Sequence, residues 1–259
     1  MTKVCVCPKC DFRADTDFSE CPRCGIVIEK YLKARERKSA GKAERERSKW
    51  DGMAVLTRLA AEIISRVKEN MFRVTPDMNP IAFWGRVLLF AILMIWGTRF
   101  LFSSVESNAV GESFWHLVNL PFHEFGHILF RPFGQLITSL GGTLGQLLMP
   151  LICLSVFLIQ TGDAFAASAC LWWLGQNFMD IAPYINDARA GVLPLLGGNT
   201  GQTSPYGFHD WEYILTETGF IRYDHSIALA AHGLGSAIML ISFAWAGFLL
   251  WKQYRNLDA

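Results

Sequence analysis

The sequence predicts a mainly α protein: a polytopic membrane helix bundle of about five spans with a small zinc ribbon at its N-terminus. Three observations predict it. Apolar residues make up 51% of the chain, and the mean hydropathy of +0.24 is high for a water-borne protein. Of the 24 Lys and Arg residues, 17 precede residue 81, so a basic, water-facing first third is followed by a lipid-facing remainder. Five of the seven cysteines fall within the first 24 residues, spaced as metal ligands.

Residues 1–26 carry Cys7-Pro-Lys-Cys10 and Cys21-Pro-Arg-Cys24-Gly25. Two C-x-x-C knuckles at this separation can close one tetrahedral thiolate cage, and a unit this small needs the folding energy that a structural Zn²⁺ supplies. No apolar segment resembling a signal peptide opens the chain, so this unit is expected in the cytoplasm, where disulfides are rare. Cys5 is left as a spare thiol. Lys9, Arg13 and Arg23 stand against Asp11, Asp15, Asp17 and Glu20, so no basic face favours nucleic acid, and a protein is the partner expected of the ribbon.

Residues 27–79 read as a tether. Up to Lys49 it is rich in Lys, Arg, Glu and Ala. From Trp50 to Val74 apolar residues recur at three and four (Met53, Leu56, Leu59, Ile63, Val67), an amphipathic helix suited to an anionic lipid surface or to packing on the ribbon. Pro76 and Pro80 should end it.

Residues 80–259 form the expected membrane domain. The spans are Ile81–Phe102, with Arg86 and Arg99 snorkelling, Phe114–Phe130, Leu136–Gln160, Ala164–Ala182 and Ser226–Trp251. The charge bias puts residues 1–79 inside, as expected for a bacterial inner membrane, and Ser103–Ser113 outside. Five spans then place the C-terminus outside, against the preference of Lys252 and Arg255.

The second span contains His123-Glu124-Phe125-Gly126-His127, the pattern H-E-x-x-H. On a helix the two histidines share a face and can offer two nitrogens to one Zn²⁺, while Glu124 beside them can take a proton from a water that the metal acidifies. Ionisable groups among Phe, Leu and Ile are costly in a membrane and are functional by default. His116, seven residues earlier, lies on nearly the same face. The small-residue run Ser139–Gln146 suits close helix packing or, as irregular backbone, presentation of N–H and C=O groups to a substrate. Asn177, Asp180 and Asp187 end the fourth apolar run, and His209-Asp210-Trp211-Glu212 forms a polar cluster in the loop that follows.

The chain resembles the site-2 protease family, the intramembrane zinc metalloproteases. His123–His127 is similar to that family's H-E-x-G-H, Gly141-Gly142 is placed like its Gly-rich segment, and Asn177 to Asp187 looks like its later Asn/Pro/Asp motif, though Ala188 stands where the family has Gly. The resemblance covers about residues 113–195. It implies cleavage of membrane proteins or peptides with Glu124 as base, His123, His127 and an Asp as zinc ligands, and Asn177 on the substrate backbone. Asp187 is the matching carboxylate and Asp180 its rival. Two other readings compete: a zinc peptidase of another class with Glu212 as third ligand, and a non-catalytic scaffold whose ribbon recruits a partner. The cofactors implied are one catalytic and one structural Zn²⁺.

Overall fold

In the computed structural model the described backbone covers residues 5–74 and 79–257, with the side chains of residues 43–48, 50–52 and 257 outside the description. The chain divides into two compact units, Met1–Ile64 and Ser65–Ala259.

In the first unit, strands β1 (Cys5–Val6) and β2 (Arg13–Ala14) pair antiparallel, Cys5 opposite Ala14. The two knuckles repeat one turn. Cys7 N–H donates to Phe12 C=O and Asp11 N–H to Cys7 C=O; Cys21 N–H donates to Ile26 C=O and Gly25 N–H to Cys21 C=O. The fourth residue after each leading cysteine is left-handed, Asp11 at φ 55° and Gly25 at φ 66°. Phe12 and Phe18 meet edge to face, about as much apolar core as so short a segment can build.

Helix α1 (Ile28–Met71) runs through the charged stretch and the amphipathic one. The division between the two units falls inside this helix, after Ile64. From Ser65 onward it belongs to the second unit, where Asn70 Nδ2 donates to Leu158 C=O and Trp245 Nε1 donates to Met71 C=O. Leu56, Leu59, Ile63 and Ile64 stand exposed as an apolar stripe. Residues 75–78, which include the expected break at Pro76, lie outside the described residues.

The second unit holds α2 (Pro80–Leu101), α3 (Phe114–Phe130), α4 (Gln135–Ser155), α5 (Ala164–Asn186), the short α6 (Asp210–Glu217) and α7 (Asp224–Leu257). Asn79 caps α2, accepting from Ile81 N–H with Pro80 at the first helical position, where no N–H is needed. A π-helical turn, Val156–Thr161, extends α4. Arg86, expected to snorkel, instead pairs with Asp163 at 2.8 Å, and Asp163 caps α5 through Ala166 N–H.

Every expected apolar run is a helix, and among the described residues three helices are long and apolar enough to cross a membrane: Pro80–Leu101, Gln135–Thr161 and Ile221–Asn256. The five-span count is not met by this criterion. Helix α3 has only 17 residues, and α5 buries Gln176, Asn177 and Asp180, whose polarity lowers its hydropathy. Glycine sets the helix approaches. A Cβ on Gly126 would collide with Gly141 O, and one on Gly235 would meet Gly175 O at 2.5 Å, so α3 packs on α4, and α5 on α7, backbone to backbone. The Ser139–Gln146 run is thus regular helix and serves packing; it does not offer free backbone groups to a substrate.

Candidate metal centres

In the ribbon, Cys7 Sγ lies 3.8 Å from Cys24 Sγ and Cys10 Sγ 3.6 Å from Cys21 Sγ. Four sulfurs tetrahedrally bonded to zinc at ~2.3 Å would stand about 3.8 Å apart, so this four-cysteine group could hold a metal ion with little rearrangement. The thiols titrate unequally. Burial raises the Cys7 thiol, but hydrogen bonds from the backbone at Lys9 and Cys10 and from neighbouring thiols outweigh it and bring it to about 7. Cys10 accepts a backbone hydrogen bond at Phe12, yet burial and the surrounding Cys24, Cys21 and Cys7 push it up to about 12. Crowded sulfurs cannot all ionise without a cation among them.

The second centre lies in a cavity of about 680 Å³ running from His116 past Glu124 to His127, and bordered on the other side by Tyr184, Leu195 and Asp210. His123 donates from Nδ1 to Gln146 Oε1 at 2.8 Å, and His127 from Nδ1 to Thr138 C=O at 2.8 Å. Both acceptors are oxygens, so each ring carries its proton on Nδ1 and presents a bare Nε2. Asp210 Oδ2 stands 3.2 Å from His123 Nε2 and 3.3 Å from His127 Nε2. Three acceptors this close repel unless a cation lies among them. Ligand atoms bound to zinc at ~2.0 Å in a tetrahedron lie about 3.3 Å apart, which both Asp210 distances match.

Gly142 completes the fit. A Cβ there would collide with His123 Nε2 and come within 2.6 Å of His127 Nε2, so any side chain would fill the space the nitrogens face.

The carboxylate brought to the histidines is therefore Asp210, and neither Asp187 nor Asp180. Asp180, on α5, is 5% exposed and bonds His116 Nδ1 at 3.1 Å and Asn119 Nδ2 at 2.9 Å. Asp187, at the end of α5, accepts from Val192 and Leu193 N–H. Asn177 is fully buried, donates to Trp173 C=O and does not line the cavity. Glu212 stays out of the cluster, its N–H bonded to His209 Nδ1. Glu124 lines the cavity as expected.

The sequence did carry a signal for Asp210, in the polar cluster His209–Glu212. The family-like motif marks Asp187 instead, because spacing along the chain does not encode how the long 188–209 loop folds back. Nothing in the spacing marks Gln146 and Thr138 as the partners of the two imidazoles. Comparison of the chain with protein-family models, with curated proteins and with solved structures found no match.

Proposed function

We propose that the chain is an intramembrane zinc metallopeptidase that hydrolyses peptide bonds of membrane proteins or peptides. The observation that carries this reading is the convergence of His123 Nε2, His127 Nε2 and Asp210 Oδ2 in one cavity with Glu124. Two imidazoles and one carboxylate form a three-ligand set that leaves a position open, as a hydrolytic site requires and a structural one does not. Zinc held there would supply Lewis-acid polarisation of a scissile carbonyl and acidify water at neutral pH.

The chain's own residues do the rest. Glu124 takes a proton from the attacking water and returns it to the leaving amine. Gln146 fixes the His123 ring through its Oε1. Gly142 keeps the approach to both nitrogens clear. The three apolar helices long enough to span a membrane support a substrate met within or beside the bilayer. The basic first 79 residues support a cytoplasmic N-terminus.

The zinc peptidase with Glu212 as ligand has no support in the geometry, since Glu212 does not join the histidines. A scaffold would have no use for Glu124 beside the cluster. The test compares membrane peptides in cells carrying the intact chain and Glu124→Gln. Substrates should accumulate uncut in the variant, its turnover down by ~10²–10⁴, while the purified variant keeps both zinc ions. Identical peptide profiles would sink the peptidase reading.

A further inference from the structure

Asp187 is 4% exposed, and its oxygens are fully engaged away from the cavity. Oδ1 accepts Val192 N–H at 2.9 Å, Oδ2 accepts Leu193 N–H at 2.9 Å, and Oδ2 also lies 3.4 Å from His209 Nε2. His209 is completely buried and caps α6, its Nδ1 accepting Glu212 N–H at 3.1 Å. That bond fixes the tautomer: the proton is on Nε2, which lies 3.4 Å from Asp187 Oδ2 in an electrostatic contact without hydrogen-bond geometry.

Tyr184, one helical turn before Asp187, lays its ring 4.3 Å from the His209 ring, and its hydroxyl accepts Asp210 N–H at 2.9 Å. The last turn of α5 thus grips the residue before Asp210 and the amide of Asp210 itself.

We infer that Asp187 and His209 form a latch that closes the 188–209 segment onto α5 and so holds Asp210 against His123 and His127. They are positioning residues for the third ligand; this rests on the metal-centre reading above. The physical need is clear. Asp210 opens a helix of only eight residues, too short to be stable alone, at the end of a long loop whose closure costs entropy. Without an anchor it would be a ligand only part of the time, and the chain would bind metal in proportion to that fraction. The Asp187 carboxylate accepts from two backbone N–H groups and lies 3.4 Å from the His209 ring nitrogen, so one side chain faces both the start of the loop and its end.

The test uses the full-length protein and follows the second equivalent of zinc, beyond that of the ribbon, by chelator competition. Co²⁺ substitution reports the same site by its d–d absorption, apart from the sulfur-to-metal bands of the thiolate cage. Asp210→Asn should lose the second equivalent. Asp187→Asn should keep it with an affinity lower by ~10–100-fold, as for other groups that orient a ligand. Two His209 variants separate latch from cap. His209→Gln restores an N–H near the Nε2 position but gives up the short capping acceptor. His209→Asn keeps a capping oxygen and cannot reach Asp187. The latch predicts tighter zinc in His209→Gln than in His209→Asn, and no further loss when His209→Asn is combined with Asp187→Asn.

If Asp187→Asn and Asp210→Asn both lack the second zinc at every concentration, Asp187 is itself a ligand and the latch is overturned. Unchanged affinity in Asp187→Asn, or tighter binding in His209→Asn than in His209→Gln, overturns it too. Should Asp187→Asn fail to fold, the two His209 variants decide alone. A second zinc retained by Asp210→Asn would instead remove the metal-centre reading itself.

Discussion

The two candidate metal centres are built in opposite ways. The ribbon's four sulfurs come from 18 consecutive residues, each pair presented by a tight turn whose hydrogen bonds are local. The cavity centre takes two nitrogens from α3 and an oxygen from α6, 83 positions beyond His127, with its supporting groups on α4 and α5. A local cage has little core beside it, so a metal bound there would carry most of its folding. A distributed site is folded by the helices, and metal only completes it. Spacing therefore reveals the first kind in full and the second in part.

The sharpest way to break this contrast is to remove each metal separately. Cys7→Ser/Cys10→Ser should unfold the ribbon, since structural zinc contributes on the order of 10 kcal/mol to such units, and should leave the second zinc in place. Asp210→Asn should do the reverse and leave the helical circular dichroism unchanged. Zinc stoichiometry and thermal unfolding of the full chain check both. Loss of both ions in either variant would mean that the centres are coupled and the contrast false.

Next in size is Gly142→Ala. A methyl group pressed onto His123 Nε2 and 2.6 Å from His127 Nε2 cannot be accommodated without moving a helix or both rings. Metal affinity at the cavity centre should fall by more than ~100-fold, beyond the range for a lost orienting group. Gly85→Ala, in α2 with open space around its Cβ, is the control and should change nothing. Equal zinc affinity in Gly142→Ala would show that the nitrogens do not face a common ion.

How much of this was legible follows from the same distinction. H-E-x-x-H on a helix fixes the relation of His123, Glu124 and His127 by backbone geometry alone, and the structure keeps all three at one cavity. The five apolar runs became helices because hydropathy and length dictate it. Their status as spans did not follow for α3 and α5, since buried polar groups such as Asn119 and Asp180 answer to one another there. Asp187 misled because a carboxylate at the end of an apolar helix can serve a metal or a loop equally well. Only its surroundings decide: the N–H groups of Val192 and Leu193, and the His209 ring beside them.

Gln146 sharpens the point at a smaller scale. Gln146→Leu keeps the size of the side chain and removes the oxygen that holds His123 Nδ1–H. Freed from that bond, the ring can turn or take its proton on Nε2, where it no longer binds metal. Zinc affinity should fall by ~10–100-fold, with helix content intact. No change in affinity would mean that packing alone orients His123, and that the distributed site depends less on its supporting groups than the contrast requires.

The smallest effect belongs to the ribbon and tests how local its cage is. Gly25 and Asp11 hold equivalent left-handed positions in the two knuckles, at φ 66° and φ 55°. A side chain other than Asn or Asp loses roughly 1–2 kcal/mol in that conformation. A Cβ on Gly25 would meet nothing within 4 Å, so Gly25→Ala carries this backbone cost and no clash. Because metal binding and folding are one process in such a unit, the cost should appear directly as ~5–30-fold weaker zinc at the cage. Gly25→Asn should lose much less, as Asp11 already shows that a short polar side chain is tolerated at the matching position. The second zinc should be unaffected in both variants. If Gly25→Ala binds zinc as tightly as the unaltered chain, the knuckle does not need its left-handed residue, and the cage is held by more than its own two turns.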